Sequence, residues 1–257
     1  MRKMTLGDRM KQYEACYDIH ILRKLPLIIR IDGRAFHSWT KKSRCERPFD
    51  VPLMKLMAAT TRFLCENIDG CVFGYTQSDE ISLLLRDDQS RDTYAWFDKR
   101  LQKIVSISAA MATYYFNAHN PYERKLPAFF DSRAFALPTE DVRAYFIWRQ
   151  NDASKNSLSM LAQSLYSHSE LVGKQREALM DMCWQKGQNW DKLPTPKKRG
   201  YAVLRRPVIV EGKFGPVERQ KFVIDDDIPI FSAEGCDIFE RLLAPSVNIC
   251  QTSTAKQ

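Results

Sequence analysis

The 257-residue chain contains no Cys-x-x-Cys pair and no group of cysteine and histidine at zinc-ligand spacing, which argues against a structural zinc. Its seven cysteines are odd in number and scattered, the pattern of reduced thiols rather than of a disulfide framework. Histidine is scarce, with four in the whole sequence. No uninterrupted apolar run approaches the roughly 20 residues of a membrane span. The stretch Met1–Asp8 lacks the apolar core of a signal peptide. Internal repeats and low-complexity segments are missing too, so solenoids and arrays drop out. These absences predict a soluble, cytoplasmic protein with no membrane partner. What is present is 44% hydrophobic and 27% charged residues, ordinary for a globular chain. A net charge of +8 favours a polyanionic partner, and the length allows one elaborated domain or two small ones.

Leu27, Ile28, Ile29 and Ile31, entered through Pro26, form an apolar, β-branched run that reads as a strand buried on both faces. It runs straight into Asp32 and Gly33, residues that resist burial and weaken strands. That is either a strand stopping in an ordinary Asp-Gly turn or a ligand-binding strand end. A second stretch bears on the choice. Cys71–Thr76 and Ile81–Leu85 read as a hairpin whose break is Gln77-Ser-Asp-Glu80, with two adjacent carboxylates and no Asn-Gly pair. If both strands join the first one, Asp79 lies beside Asp32. Carboxylates that close repel unless a cation or proton sits between them, and a few hard oxygen ligands with room for phosphates suit Mg²⁺. The expectation is a two-metal nucleotidyl-transfer site.

Along the rest of the chain, Leu6–Arg23 reads as a helix packing Tyr13, Cys16, Tyr17 and Ile21 across the sheet, and Ser38–Arg47 as a basic loop. Asp50 caps a helix with Pro52 in its first turn, and Leu53, Leu56, Met57, Thr60, Phe63 and Leu64 repeat at helical spacing. Asp92 is expected to begin a helix with a buried stripe from Phe97 to Tyr115; Arg100 and Lys103 sit off that stripe, a solvated basic face on residue type alone. Ala128–Leu137 reads as a strand interrupted by Asp131-Ser-Arg133, and Glu140–Tyr166 as a long helix. On that helix Arg149, Asp152 and Asn156 share one polar face. Further on come a helix over Ser169–Lys186, a basic Lys197-Lys-Arg199, strands at Tyr201–Leu204, Val208–Val210 and Phe222–Ile224, an acidic run Asp225–Asp227 and a polar tail after Pro245. The basic triplet either tracks an RNA backbone or keeps a sheet edge soluble. The order strand, helix, hairpin, helix, strand is a ferredoxin-like split arrangement of α/β (α+β) class with flanking helices.

Four blocks, Arg30-Ile-Asp-Gly-Arg-Ala-Phe-His37, Gln77-Ser-Asp-Glu80, Phe130-Asp-Ser-Arg133 and Trp148-Arg-Gln-x-Asp152, occur in order and at matching intervals. Together the chain resembles the tRNA-His guanylyltransferase family, the reverse (3′-to-5′) polymerases. Where eukaryotic members carry His-Ile-Asn-x-x-Tyr-Asn, this sequence reads Ser154-Lys-Asn-Ser-Leu-Ser-Met160, as in the bacterial and archaeal guanylyltransferase-like branch.

The resemblance implies a polymerase-like palm over residues 1–138 and a helical and β-hairpin appendage over 139–257, packed as one unit. It implies that Asp32 and Asp79 hold two Mg²⁺, with the Gly33 carbonyl adding to one and Glu80 close by as a catalytic carboxylate. A nucleotide would lie on Asp32, Gly33, Arg34, Ala35, Phe36 and His37 with Ser78 and Asp79, and its phosphates on Arg47, Arg100, Lys103 and Arg133. Arg149, Asp152, Asn156, Lys197, Lys198 and Arg199 would face RNA. The implied partners are tRNA, ATP and GTP or another nucleoside triphosphate, and copies of the chain in a homotetramer. The expected activity is template-dependent addition of nucleotides to the 5′ end of tRNA. Its alternatives are addition of a single guanosine to tRNA-His, a palm-fold nucleotidyl cyclase, and a non-catalytic RNA-binding module.

Overall fold

The computed structural model describes residues 4–212 and 215–244. Its centre is β1 (Leu27–Gly33), where Leu27, Ile28, Ile29 and Ile31 are all within 1% of complete burial. Alternation sends Ile29 and Ile31 into one core with Leu56, Met57 and Ile104, and Ile28 into a second with Phe73, Leu84 and Phe146. A strand covered on both faces has to be central. Around it run β2 (Cys71–Gln77), β3 (Glu80–Leu85), β4 (Phe130–Ala136), β5 (Tyr201–Gly212) and β6 (Gly215–Asp225). The sheet order is β4-β1-β3-β2-β5-β6, and every pairing is antiparallel. The first four strands reproduce the expected ferredoxin-like arrangement, and β5 and β6 extend the same sheet beyond β2.

Helices α3 (Val51–Asn67) and α4 (Leu101–Ala118) cover one face, and α5 (Asp141–Leu165) lies over the other. α3 starts where its cap dictates: the Asp50 carboxylate accepts from Leu53 N at 2.8 Å, a contact of about 1 kcal/mol. Short helices complete the chain: α6 (His168–Leu171), α7 (Arg176–Gln185), α8 (Thr195–Arg199) and α9 (Ile238–Leu243), after α1 (Leu6–Ala15) and α2 (Phe36–Ser43) near the start.

Several boundaries differ from expectation. α1 ends at Ala15, and none of its residues is buried, so it does not pack across the sheet. The segment after it instead runs beside residues 99–101, with Ile21 N donating to Lys99 O and Leu101 N to Ile19 O, each at 2.9 Å. The basic loop after β1 is largely the helix α2. α4 begins at Leu101 rather than Asp92, because Phe97, Asp98 and Lys99 have left-handed φ values of 49°, 50° and 55° that no α-helix contains. One expected helix over 169–186 is split into α6 and α7, and the short C-terminal strands are one long β5–β6 ribbon. α9 had no sequence signal strong enough to notice. The polar tail after Pro245 lies outside the described residues.

Candidate active site

The register of β1 decides what its polar end meets. Asp32 stands opposite Glu80 on β3 and opposite Asp131 on β4. Strand alternation puts Arg30 and Asp32 on the face covered by α5, together with Glu80, Ser82, Asp131 and Arg133. Gly33 N donates to Asp79 O at 3.1 Å, which fastens the β2–β3 turn to the end of β1. Asp32 and Asp79 are thereby neighbours, as the two-strand reading expects.

Gly33 is required for steric reasons. A Cβ there would lie 2.2 Å from the Phe36 ring, which folds back beneath it. Phe36 is 4% exposed and packs on Trp39, Phe116 and Phe130, so its side chain belongs to the core rather than to a nucleotide base. Ala35 adopts φ 54° at the start of α2, and no side chain caps that helix. Ser38 N and Trp39 N donate to Ala35 O at 3.0 and 3.1 Å. That leaves the Phe36 and His37 amides without a partner among the described residues, close in sequence to Asp32, the arrangement in which a helix N-terminus receives phosphate. Arg34 and His37 are exposed on the same turn.

Ser78 also has a positive φ, 51°, and its Oγ donates to Asp79 Oδ1 at 3.0 Å. Burial pushes the Asp79 carboxyl above the usual carboxylate range despite that bond, and the charge of Asp32 pushes it the same way. Burial raises Glu80 as well, opposed by Arg149 and Arg30. Glu80 Oε1 is buried and has no hydrogen-bond partner. Facing carboxylates and an orphaned carboxylate oxygen are hard oxygen donors whose repulsion a cation or a proton would relieve. Among the described residues no group of three or more His, Cys, Asp or Glu is placed to hold an ion unaided. An ion held by Asp32, Asp79 and the Gly33 carbonyl would therefore complete its coordination with water or phosphate oxygens, as Mg²⁺ commonly does.

The remaining predicted residues divide. Arg133 is exposed on β4, opposite Arg30 and 3.4 Å from Asp131, close to the acidic end. Arg100 and Lys103 are not. Thr113 Oγ1 accepts from Phe130 N, which marks where α4 passes that end, and Arg100 lies about 20 Å back along the helix axis. Arg100 is tied to Asp18 at 2.9 Å, and Lys103 reaches over the Phe97 ring. Arg47 is exposed on the loop before α3. Arg149 is buried against Glu80 and presents no surface to RNA. Asn156 donates to Asp152 at 3.4 Å on the outer flank of α5. Lys197, Lys198 and Arg199 are half-buried: Lys197 sits over Phe49, Lys198 over Trp190, and Arg199 Nη2 reaches Thr195. Arg30 and Asp131 were missed as site residues. The i, i+2 pair Arg30 and Asp32 in an otherwise aliphatic strand was the available signal for the first.

A palm-like antiparallel sheet with paired carboxylates at one strand end, beside an open helix N-terminus, defines a nucleotidyltransferase class of site. The family model for tRNAHis guanylyltransferase (Thg1) matches residues 7–138. A bacterial tRNA(His) guanylyltransferase (Thg1)-like protein solved in complex with ATP is 39% identical over 93% of this chain and 98% of its own, with a TM-score of 0.81. The GTP complex of a bacterial Thg1-like protein is also 39% identical, over 93% and 99% of the two chains, at a TM-score of 0.78. The tRNA(His) guanylyltransferase of Schizosaccharomyces pombe is 29% identical over 86% of this chain and 93% of its own. This chain belongs to the tRNAHis guanylyltransferase family and is a nucleotidyltransferase. Its higher identity to the bacterial Thg1-like proteins agrees with the branch assigned from Ser154–Met160.

Proposed function

We propose that the protein extends the 5′ end of tRNA in the 3′-to-5′ direction, choosing each nucleotide by its pairing with the opposite strand of the acceptor stem. The observation that carries this reading is the Asp32–Asp79 pair set beside the uncapped start of α2. The 3′-hydroxyl oxygen of the incoming nucleotide attacks the phosphorus of an activated RNA 5′ end. A P–O bond forms there as the bond to the leaving group breaks. Pyrophosphate leaves when the end is a 5′-triphosphate, and AMP leaves when ATP has adenylylated it. Mg²⁺ bound by Asp32, Asp79 and the Gly33 carbonyl supplies neutralisation of phosphate charge and a more acidic hydroxyl. The amides that open α2 hold phosphate oxygens, with Arg133 near enough to share their charge. Arg34 and His37 border the nucleotide, and Ser78 orients Asp79.

Pairing with the opposite strand is favoured over a fixed demand for one guanosine by residues 154–160. Ser157 is buried, donating to Lys197 O and accepting from Trp190 Nε1 at 3.0 Å, so this stretch packs α5 onto α8. It offers no aromatic or imidazole group to fix a single base. Copies of the chain associate through the exposed apolar side of α1, where Leu6, Met10 and Tyr13 recur at helical spacing; sedimentation of a Leu6→Asp, Met10→Asp variant tests the expected tetramer. The activity is tested by competition between a tRNA lacking its 5′ nucleotide and an intact tRNA-His, each with a 5′-triphosphate. Preferred repair of the truncated tRNA with the complementary base supports the reading. Guanosine addition to tRNA-His whatever the opposing base would replace it with the single-addition reaction.

A further inference from the structure

Arg149 is the predicted RNA contact that the structure removes from RNA. It is 5% exposed. Its Nη1 donates to Glu80 Oε2 at 2.8 Å, its Nη2 lies 3.6 Å from Asp152, and its guanidinium plane stacks 3.6 Å from the Trp148 ring centre. Held on three sides, the side chain has one orientation. Glu80 in turn has one oxygen gripped and the other, Oε1, buried without a partner. An unpartnered buried carboxylate oxygen costs stability unless a group outside the chain meets it. Glu80 follows Asp79 in sequence and stands opposite Asp32 in register, so the free oxygen belongs to the acidic end of β1.

We propose that Arg149 is a positioning residue: by holding Oε2 it turns Oε1 of Glu80 toward the cation that Asp32 and Asp79 share, where it meets a water on the ion rather than the ion itself. This inference rests on the cation site described under the proposed function. A bond that merely welds α5 to the sheet would need a positive charge at position 149 but no particular direction of Glu80. Arginine's planar fork fixes direction, whereas lysine supplies only a point charge, and the two are therefore separable.

The test measures Mn²⁺ binding by calorimetry, melting temperature, and tRNA affinity over a range of salt, for the full chain and its Arg149→Lys, Glu80→Gln and Asp79→Ala variants. Arg149→Lys and Glu80→Gln are each expected to lose roughly 10–100-fold in Mn²⁺ affinity, the usual effect of removing a group that orients a metal ligand. The double variant should bind Mn²⁺ no more weakly than Glu80→Gln alone, and tRNA affinity should not move. Unchanged Mn²⁺ affinity in folded Arg149→Lys overturns the positioning role, as does a weakened, less salt-dependent tRNA affinity. Should Arg149→Lys fail to fold, Glu80→Gln decides: Mn²⁺ binding equal to the parent's overturns the proposal. Asp79→Ala separates the two readings, because unchanged Mn²⁺ affinity there removes the cation site itself.

Discussion

The two ends of β1 bury charge in opposite ways. At the Leu27 end, Asp87 and Lys99 are 3% and 2% exposed and meet at 2.9 Å. Lys99 Nζ also donates to Leu22 O and Leu25 O, and Asp87 accepts from Lys24 N, with Arg23 at 3.6 Å. Each carboxylate oxygen and the ammonium there have partners within the chain. At the Asp32 end, like charges face one another, Glu80 Oε1 is orphaned, and the Nε atoms of Arg30 and Arg149 have no partner. A closed network around a fully buried pair holds the chain together; an open one, whose Asp32, Asp79 and Glu80 are only partly buried, is built to receive something. Burial already differs between the ends, and the count of satisfied partners separates them further.

Exchanging the roles of the two ends would break that comparison. The largest effect is expected at the open end: Asp79→Ala should lower nucleotide addition by about 100–1,000-fold, the scale of losing one electrostatic contact to a transition state. Its melting temperature should hold or rise, because a buried, repelled carboxylate is removed. Single-turnover addition and thermal melting on the same samples check both halves, and activity within a few-fold of the parent would defeat the assignment. At the closed end the outcome reverses. Lys99→Met should cost about 3 kcal/mol by leaving Asp87 with weaker partners, while the folded fraction adds nucleotides normally. Urea unfolding alongside active-site titration measures it.

Acidity sharpens the contrast further. Asp79 titrates above its ordinary 3.8 in the folded chain, chiefly through burial and then through Asp32. A raised folded pKa means that the protonated form contributes stability, fully present below the unfolded value and lost as pH rises through the folded one. Mg²⁺ bound at Asp79 as proposed would compete with that proton. The melting-temperature gain on adding Mg²⁺ should therefore shrink as pH falls from about 7.5 to about 5, with proton release accompanying binding. In Asp79→Asn this pH dependence should largely disappear, and a gain independent of pH in the parent would contradict the facing-carboxylate geometry.

How much of this was legible in the sequence follows the same division. β1, the β2–β3 hairpin, α3 with its Asp50 cap and the ferredoxin-like order were readable, because aliphatic runs and capping residues act locally. Asp32 and Asp79 could be paired because their strands had to join one sheet. The closed end was illegible: Lys99 reads as a surface lysine, and only the partners supplied by residues 22–25 and 87 explain its burial and the left-handed turn before α4. Arg149 was misdirected for a related reason. Its spacing with Asp152 and Asn156 marks a polar face, but spacing does not say whether that face meets solvent or a strand carrying Glu80. Arg100 and Lys103 were joined to the site by motif, and the length of α4 sets them at the far end of the sheet within one chain.

The smallest expected effect concerns strain, which both ends carry. Ser78 at φ 51° and Lys99 at φ 55° occupy the same left-handed region, where a side chain costs about 1–2 kcal/mol relative to glycine. At position 99 the buried ammonium offsets that cost with three contacts, so glycine there would lose far more than it relieves. At position 78 the offset is one hydrogen bond to Asp79, which serves the site rather than the fold. Ser78→Gly should therefore raise stability slightly, by up to about 1 kcal/mol, since glycine's greater freedom in the unfolded chain takes back part of the relief. Nucleotide addition should fall modestly, by about 5-fold, because Asp79 loses the hydroxyl that orients it, a bond of about 1 kcal/mol. Chemical denaturation and single-turnover rates on Ser78→Gly and Ser78→Ala separate the two causes: alanine removes the hydroxyl but keeps the strain, so it should lose activity without gaining stability. Equal stability in both variants would mean that the turn is unstrained and that serine stands at 78 for its hydroxyl alone.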